Sequence, residues 1–424
     1  MKVLIISHTP LSTKNNMGKT FLSLFSSFQK EELCQLYIYP SYPDEMYCSS
    51  FYRVTDKDVI KSLTPGGEVK QDRVQSTNEL YEDREDEAKY RNVKNKSDLR
   101  RLLRDGIWMG GTWYNRKLKD WLDREKPDCI FLAPGPAKFV YWIATKIAKA
   151  RKLPLVTYVC DEYYFVQPET SWLGKLRLGL FKKTMKKTMH RTRQVVGISQ
   201  EIREHYGKEF GVPVTVLMTG GSGLAESPRE IRKPVTELSY FGNIRLNRYL
   251  SLAAIGKALD RINEARGTAY KLKLYTGEKD PLFLSAFDGI ASVERSGFLT
   301  GEAFQKAMEE AQVLVHVEAF DEASIDRVRH SISTKIADAL SGGTPLFAYG
   351  PEGVSSIRHL LRNDCAVVVT KEEQLEAQLC ALLDGKLDVS GYVSNALKTA
   401  ARFHNTQDNS ARLYELMNQL DFNK

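Results

Sequence analysis

The densest group of residues able to do chemistry is His330-Ser331-Ile332-Ser333-Thr334-Lys335-Ile336-Ala337-Asp338, followed by Gly342-Gly343-Thr344-Pro345. Ser331 or Ser333 suits a helix start. The unpaired N–H groups there, with the positive end of the helix dipole, make an anion site. Ser333 and Thr334 would open that helix, and Lys335 falls in its first turn. A cation is unfavourable there unless an anion such as phosphate meets it. Asp338 follows about one turn later, and a carboxylate in that place can accept from vicinal hydroxyls, as carboxylates do for ribose. Gly342-Gly343 ends the helix and Pro345 opens the next strand. Spacing alone also fits a plain capped helix before a buried strand, and both readings stay open.

A second group is Leu238-Ser239-Tyr240-Phe241-Gly242-Asn243-Ile244-Arg245-Leu246-Asn247-Arg248. A strand ends in Gly242-Asn243 and a helix follows. That turn is a common place for diphosphates. Arg245 and Arg248 are the candidate cations, with Arg245 nearer the turn, and arginine's planar fork suits two phosphate oxygens. Near the N-terminus Gly18-Lys19-Thr20 matches the end of a phosphate-binding loop, but Thr13 stands where that motif needs glycine, which argues against an NTPase. Asp161, Glu162, Tyr163 and Tyr164 follow the apolar run Pro154–Cys160. Asp161 is placed to orient or activate a hydroxyl, and the tyrosines to stack on a ring or to pack half-buried. Glu318 ends the run Val315-His316-Val317 as a solvated residue or a working carboxylate. Asp56-Lys57-Asp58 has no strand context that would make it a metal site. No metal and no cofactor is expected.

The elements that must hold these residues alternate. Strands are predicted at Lys2–Ser7, Gln35–Tyr39, Asp128–Ala133, Leu155–Val159, Val195–Ile198 and Val214–Met218. Helices are predicted between most of them, at Lys19–Gln29, Asp98–Arg124, Ala137–Ala150 and Trp172–Arg193. The alternation restarts with strands at Leu238–Phe241, Lys271–Tyr275, Ser292–Glu294, Val313–Val317, Pro345–Ala348 and Ala366–Val369. Helices are expected at Tyr249–Glu264, Gly301–Ala311, Ser333–Ser341, Gly353–Leu361, Glu372–Leu383 and Ser410–Leu420. This pattern predicts an α/β protein of two Rossmann-like doubly wound domains facing a cleft. The first covers residues 1–220, with a charged insertion at about 71–101. A polar linker spans 221–235, the second domain spans 236–400, and a C-terminal helix in 401–424 is free to pack back on the first domain.

The chain has 424 residues, 61 basic and 53 acidic, and a net charge of +8. Such a charge admits an anionic partner without calling for nucleic acid. The six cysteines show no Cys-x-x-Cys spacing, which excludes zinc ribbons and thioredoxin-like redox motifs.

The segment Ser333-Thr334-Lys335-x-x-Asp338-x-Leu340-x-x-Gly343-x-Pro345, followed by Tyr349-Gly350-Pro351, resembles the donor-binding segment of retaining GT-B-type glycosyltransferases of the family 4 and family 1 kind. The resemblance covers most of the chain apart from the charged insertion. It implies an enzyme that moves a sugar from a nucleoside-diphosphate sugar to an acceptor hydroxyl with retention, without a metal, in cell-surface polysaccharide biosynthesis. It places Gly18, Gly242, Asn243, Arg245, Arg248, His330, Ser333, Thr334, Lys335 and Asp338 on the donor, with Asp338 on the ribose. It places Asp161, Glu162, Tyr163 and Tyr164 on the acceptor side. Asp161, Glu318, Lys335 and Arg245 are the candidate catalytic residues. Relatives carry two glutamates eight positions apart. Here they are replaced by His330 and Asp338, and Glu318 is the candidate substitute for the first. A sugar-nucleotide epimerase of the same fold, and a non-catalytic partner of a transferase, are the alternatives.

Residues 172–193 hold eight Lys and Arg and no acid, interleaved with Leu173, Leu176, Leu180, Phe181, Met185 and Met189. This basic amphipathic stretch suits an anionic membrane surface, and it also fits a surface helix whose apolar stripe packs on its sheet. Such contact would fit a saccharide acceptor carried on a lipid. No apolar run is long enough to span a bilayer, and the run at Val3–Ile6 is too short for a signal peptide. A cytoplasmic protein, peripheral at the inner face of the membrane, is expected.

Overall fold

The computed structural model describes residues 1–12, 16–41, 43, 47–64, 98–166, 171–221, 223–230 and 233–420. The charged insertion therefore lies outside the described residues as far as 97, as do Thr13 and Asn15. The chain forms two compact units. The first comprises residues 1–217 with 406–424, and the second residues 218–405.

The first unit is built on a seven-stranded sheet in the order β3-β2-β1-β4-β5-β6-β7, parallel throughout. The strands are β1 Val3–Ser7, β2 Leu33–Tyr37, β3 Ser50–Arg53, β4 Cys129–Ala133, β5 Leu155–Val159, β6 Thr192–Gly197 and β7 Val214–Val216. β1, β2, β4 and β5 are buried along their whole length, as continuous apolar runs must be when helices cover both faces. Buried Gln35 pins the first loop. Its Nε2 donates to the Ser7 hydroxyl at 2.8 Å, and its Oε1 accepts from the Leu11 N–H at 2.9 Å. The C-terminal helix Thr406–Asn418 belongs to this unit and packs on the helix Asn16–Leu24. Ser410 donates to the Leu24 carbonyl at 2.9 Å, and Phe28 meets Tyr414 edge to face.

The expected helix Asp98–Arg124 is two helices, Asp98–Gly110 and Arg116–Glu125. Gly111 lies in the break. A Cβ there would meet the Val59 side chain at 2.3 Å, so the chain turns where only glycine fits. Asp56 sits in a short helix and accepts from Arg104 and from the Trp108 indole at 2.7 Å, a structural task. The basic stretch forms the helix Trp172–Met189, capped by Ser171. Its apolar residues do not form one face. Leu178, Phe181, Met185 and Met189 are buried, whereas Leu176 and Leu180 are exposed.

The second unit holds a six-stranded parallel sheet in the order β10-β9-β8-β11-β12-β13. Its strands are β8 Glu237–Phe241, β9 Lys271–Tyr275, β10 Val293–Arg295, β11 Val313–Val317, β12 Leu346–Tyr349 and β13 Val367–Val369. This is the Rossmann order, in which the chain reverses its direction of travel between β8 and β11 and ligands settle beyond the strand ends at that point. The polar stretch 221–235 is not a loose connection where it is described. Ala225 N–H donates to the Ser341 carbonyl at 2.8 Å and Arg229 N–H to the Gly343 carbonyl at 2.9 Å, so it lies against this unit.

Candidate active site

In the second unit the candidate residues gather beyond the ends of β8 and β11. β8 runs into Gly242, the residue after Phe241, whose φ is +134°. A Cβ there would lie 1.8 Å from Lys335 Nζ, so the missing side chain is what lets the lysine cross this backbone. Lys335 enters from the first turn of the helix Thr334–Ser341, and its ammonium sits 5.3 Å from the Tyr240 ring centroid. The Tyr240 hydroxyl donates to the Asn243 carbonyl at 2.6 Å, and Asn243 Oδ1 accepts from the Arg245 N–H at 2.7 Å, which fixes the turn. Leu246 and Asn247 are both left-handed, at φ +57° and +56°. They turn the chain into the helix Arg248–Arg266.

That turn separates the two arginines. Arg248 reaches inward and grips Glu318 with two bonds, Nε to Oε2 at 2.9 Å and Nη2 to Oε1 at 3.1 Å. Arg245 points elsewhere. Its exposed guanidinium pairs with Glu278, Nε to Oε2 at 2.6 Å, and lies over the Phe283 ring. Arg245 donates to Glu278, which is held down to about 2, first by that hydrogen bond. The structure therefore brings Arg248, rather than Arg245, to Lys335. Arg245→Ala is expected to change turnover less than about 3-fold, because its guanidinium is committed to Glu278 rather than standing beside Lys335, so its loss removes no transition-state contact. Steady-state kinetics with saturating acceptor check this.

Glu318 is 2% exposed. Ser251 donates to its carbonyl at 2.8 Å, and His316 Nε2 lies 3.3 Å from Oε1 without hydrogen-bond geometry. Burial raises its carboxyl, but His316 and Arg248 outweigh that and leave it below its ordinary value. With both oxygens on Arg248, Glu318 is a buried counter-ion, not a strand-end carboxylate open to a sugar.

Glu318 neutralises Arg248, and Lys335 makes no ion pair among the described residues. Burial lowers Lys335 to about 8, Arg248 adds to the lowering, and Glu318 opposes it. The ammonium also stands at the positive end of its helix, so burial, Arg248 and the dipole all disfavour its charge. A phosphate at this place would relieve each of them. Asp338 sits one turn beyond Lys335 on the same helix, half-buried. His330 and Ser331 are buried just ahead of the helix, and Ser333 caps it with backbone geometry while its own N–H donates to Ser356. Thr334 is exposed.

In the first unit the loop after β5 divides its four candidates. Asp161 Oδ2 accepts from the Tyr163 hydroxyl at 2.9 Å. Tyr163 also lines a pocket with Met17, Gly135, Tyr141, Tyr158 and Cys160 at the ends of β4 and β5. Glu162 is buried and accepts from the Tyr164 and Phe165 N–H groups at 2.7 and 2.8 Å and from the Tyr206 hydroxyl at 3.2 Å. These bonds commit it to shaping the loop. Tyr164 donates to Glu209 at 2.9 Å and packs edge to face on Phe165 and Phe210, so it too is structural. Gly18 is needed within the unit itself, since a Cβ would lie 2.0 Å from the Ser12 carbonyl oxygen.

Sequence reasoning missed His316, Glu278, Tyr240 and Gly135. Only His316 left a signal, because strand residues two apart share a face and it precedes Glu318 by two.

Two Rossmann-like units in tandem, with Lys335 and Arg248 at the reversal point of the second, define the GT-B class of fold. The solved structures that the chain resembles have this architecture. HepE of Anabaena in complex with UDP matches at a TM-score of 0.63 with 10% identity, over 99% of this chain and 100% of that one. Sucrose-phosphate synthase of Thermosynechococcus elongatus matches at 0.62 with 11% identity, over 99% of each chain. A UDP-forming α,α-trehalose-phosphate synthase of Burkholderia vietnamiensis matches at 0.58 with 8% identity, over 99% and 100%. Residues 76–220 match the profile of Glycosyltransferase Family 4, and the chain is similar to GT-B glycosyltransferases of the family 4 and family 1 kind. The matched segment starts inside the charged stretch, so the likeness includes residues that the sequence motifs had left out. No curated protein matches the sequence. Family profile and fold together support the glycosyltransferase class.

Proposed function

We propose that the chain transfers a sugar from a nucleoside-diphosphate sugar, with UDP as the nucleotide, to an acceptor hydroxyl with retention at the anomeric carbon. The observation that carries this reading is the Lys335 ammonium. It lies over Gly242 at a helix start, beyond the strand ends where a Rossmann sheet binds its ligand. UDP in the complex with HepE and the UDP-forming activity named for the trehalose-phosphate synthase support the choice of nucleotide.

In this reading the diphosphate meets Lys335 and the first turn of the helix Thr334–Ser341, with Arg248 adding positive potential behind them. The bond from the anomeric carbon to the phosphate oxygen breaks as the acceptor oxygen bonds to the same face. The acceptor proton passes to the departing phosphate oxygen. Charge develops on that oxygen, and fixed cations stabilise it without reorganising. Asp161, held by Tyr163, orients the acceptor hydroxyl. Asp338 accepts from the ribose hydroxyls. The acceptor is a saccharide of the cell-surface polysaccharide kind, and no bound metal takes part.

Calorimetric titration with UDP, GDP and ADP tests the donor side. UDP is expected to bind most tightly, and at 100 times its Kd to stabilise the fold by about 2.7 kcal/mol. Incubation with UDP-sugars is expected to give transfer only when an acceptor is present, at a rate that EDTA leaves unchanged. Failure of all three nucleotides to bind overturns the reading. Turnover of donor alone into an epimer would replace it with the isomerase alternative.

A further inference from the structure

The helix Trp172–Met189 has one apolar side packed on the first unit and a second facing outward. Trp172 is 72% exposed, Leu176 47% and Leu180 38%. They lie at intervals of four along one stripe, which continues through exposed Lys183 and Lys187, with exposed Lys175 beside it. An exposed tryptophan in line with two exposed leucines is unusual for a helix that already has a buried side.

The neighbouring helix Asp98–Gly110 extends this surface. Asp98 accepts from Ser171 at 3.3 Å and from Arg177 at 2.7 Å, which ties the starts of the two helices together. Leu99 and Leu103 are 51% and 57% exposed, and Arg100 and Arg101 are exposed beside them. The acids of this helix are neutralised. Asp98 is paired with Arg177, and buried Asp105 lies 3.7 Å from Lys138. Glu209, on the flank, lies 4.0 Å from Lys186. Among the described residues the surface therefore presents apolar side chains among cations that no acid pairs.

We infer that the exposed faces of the helices Trp172–Met189 and Asp98–Gly110 dock the first unit on an anionic lipid bilayer. Tryptophan and leucine enter the headgroup boundary, and the lysines and arginines meet lipid phosphates, which is the division of labour of interfacial helices. A protein partner of ordinary acidity would match the cations but not the tryptophan and leucines that stand out between them. The docking helix follows the loop that carries Asp161 and Tyr163 by a few residues. A bilayer here would bring a lipid-carried acceptor toward that loop, and to this extent the inference rests on the transfer reading.

Co-sedimentation of the full chain with phosphatidylcholine vesicles, with and without phosphatidylglycerol, tests the surface. The protein is expected to pellet with the mixed vesicles at low salt and to be released by high salt. Replacing Lys175, Lys183 and Lys187 together by Gln should weaken binding on the order of 100-fold, from about 1 kcal/mol per cation. Trp172→Ser with Leu176→Ser should weaken it by roughly 10-fold or more, from lost apolar burial. Both variants alter exposed side chains and should keep wild-type melting temperatures and UDP affinity. Equal pelleting with both kinds of vesicle, or unchanged binding by either variant, overturns the inference. Self-association in the ultracentrifuge without vesicle binding does the same, by making the face a contact between copies. Vesicle binding without nucleotide binding would sink the transfer reading and leave this one, and the reverse result would do the opposite.

Discussion

Lys335→Met will raise the stability of the ligand-free protein while it cuts turnover by about 100- to 1000-fold. The folded chain holds the ammonium near 8, against an ordinary value of 10.5, with burial as the largest cause. The folded state thus favours the neutral amine, and at neutral pH the charged lysine costs stability. The unfolded chain binds the extra proton between pH 8 and 10.5, so the penalty is complete below 8 and fades as the pH rises through that window. Methionine removes the charge and keeps most of the volume, and a gain of about 1–2 kcal/mol is expected for a side chain that retains some solvent contact. Diphosphate affinity runs the other way. It requires the protonated amine, so wild-type binding should weaken as the pH passes about 8, and the variant's weak binding should not change there. Denaturant melts and UDP titrations across that range measure both. A destabilised variant with near-normal turnover would remove Lys335 from the site.

The second large effect is expected at the buried pair behind it. Glu318→Ala leaves Arg248 without its partner at a side chain only 16% exposed, and should cost about 3–5 kcal/mol. Removing both charges with Glu318→Leu and Arg248→Met should recover most of that loss, because a buried pair's attraction roughly cancels its desolvation. Nucleotide affinity should stay low in the double variant, since the positive potential behind Lys335 has gone. The pH dependence has the sign of a depressed acid. The pair's contribution is present above the ordinary carboxylate value near 4.5 and is lost as the pH falls through the lower folded value. Equal losses in the single and double variants would show that packing, not charge, sets the stability here.

Much of this arrangement can be read from the residues in order. Buried parallel strands appear as nearly unbroken apolar runs, as at Val313–Val317 and Leu155–Val159, and the alternating Lys271–Tyr275 also forms as expected. The edge strand Ser50–Arg53 is short and only half-buried, so its pattern is weak, and it escaped notice. The helix Val389–Phe403 was missed because Gly391 and the β-branched residues around it suppress the propensity signal. Packing against the helix Thr334–Ser341 decides that case instead. Lys335 and Gly242 were legible because one breaks a dipole rule and the other ends a strand. The choice between Arg245 and Arg248 was not. It depends on Leu246 adopting a left-handed backbone, which nothing about a leucine announces. Asp161 and Glu162 are adjacent acids that turn to different partners, Asp161 to the Tyr163 hydroxyl and Glu162 to the Tyr164 and Phe165 N–H groups and the distant Tyr206, and their order in the chain does not announce it.

The helix Thr406–Asn418 closes over Asn16–Leu24, although the whole of the second unit is synthesised between them. On the ribosome the earlier Rossmann layer must wait, with Phe28 and its apolar neighbours uncovered, until the helix Thr406–Asn418 emerges. Translation order therefore makes completion of the first domain later than synthesis of the whole second unit. A fragment ending at residue 217 should be prone to aggregation unless a peptide of residues 406–424 is supplied in trans.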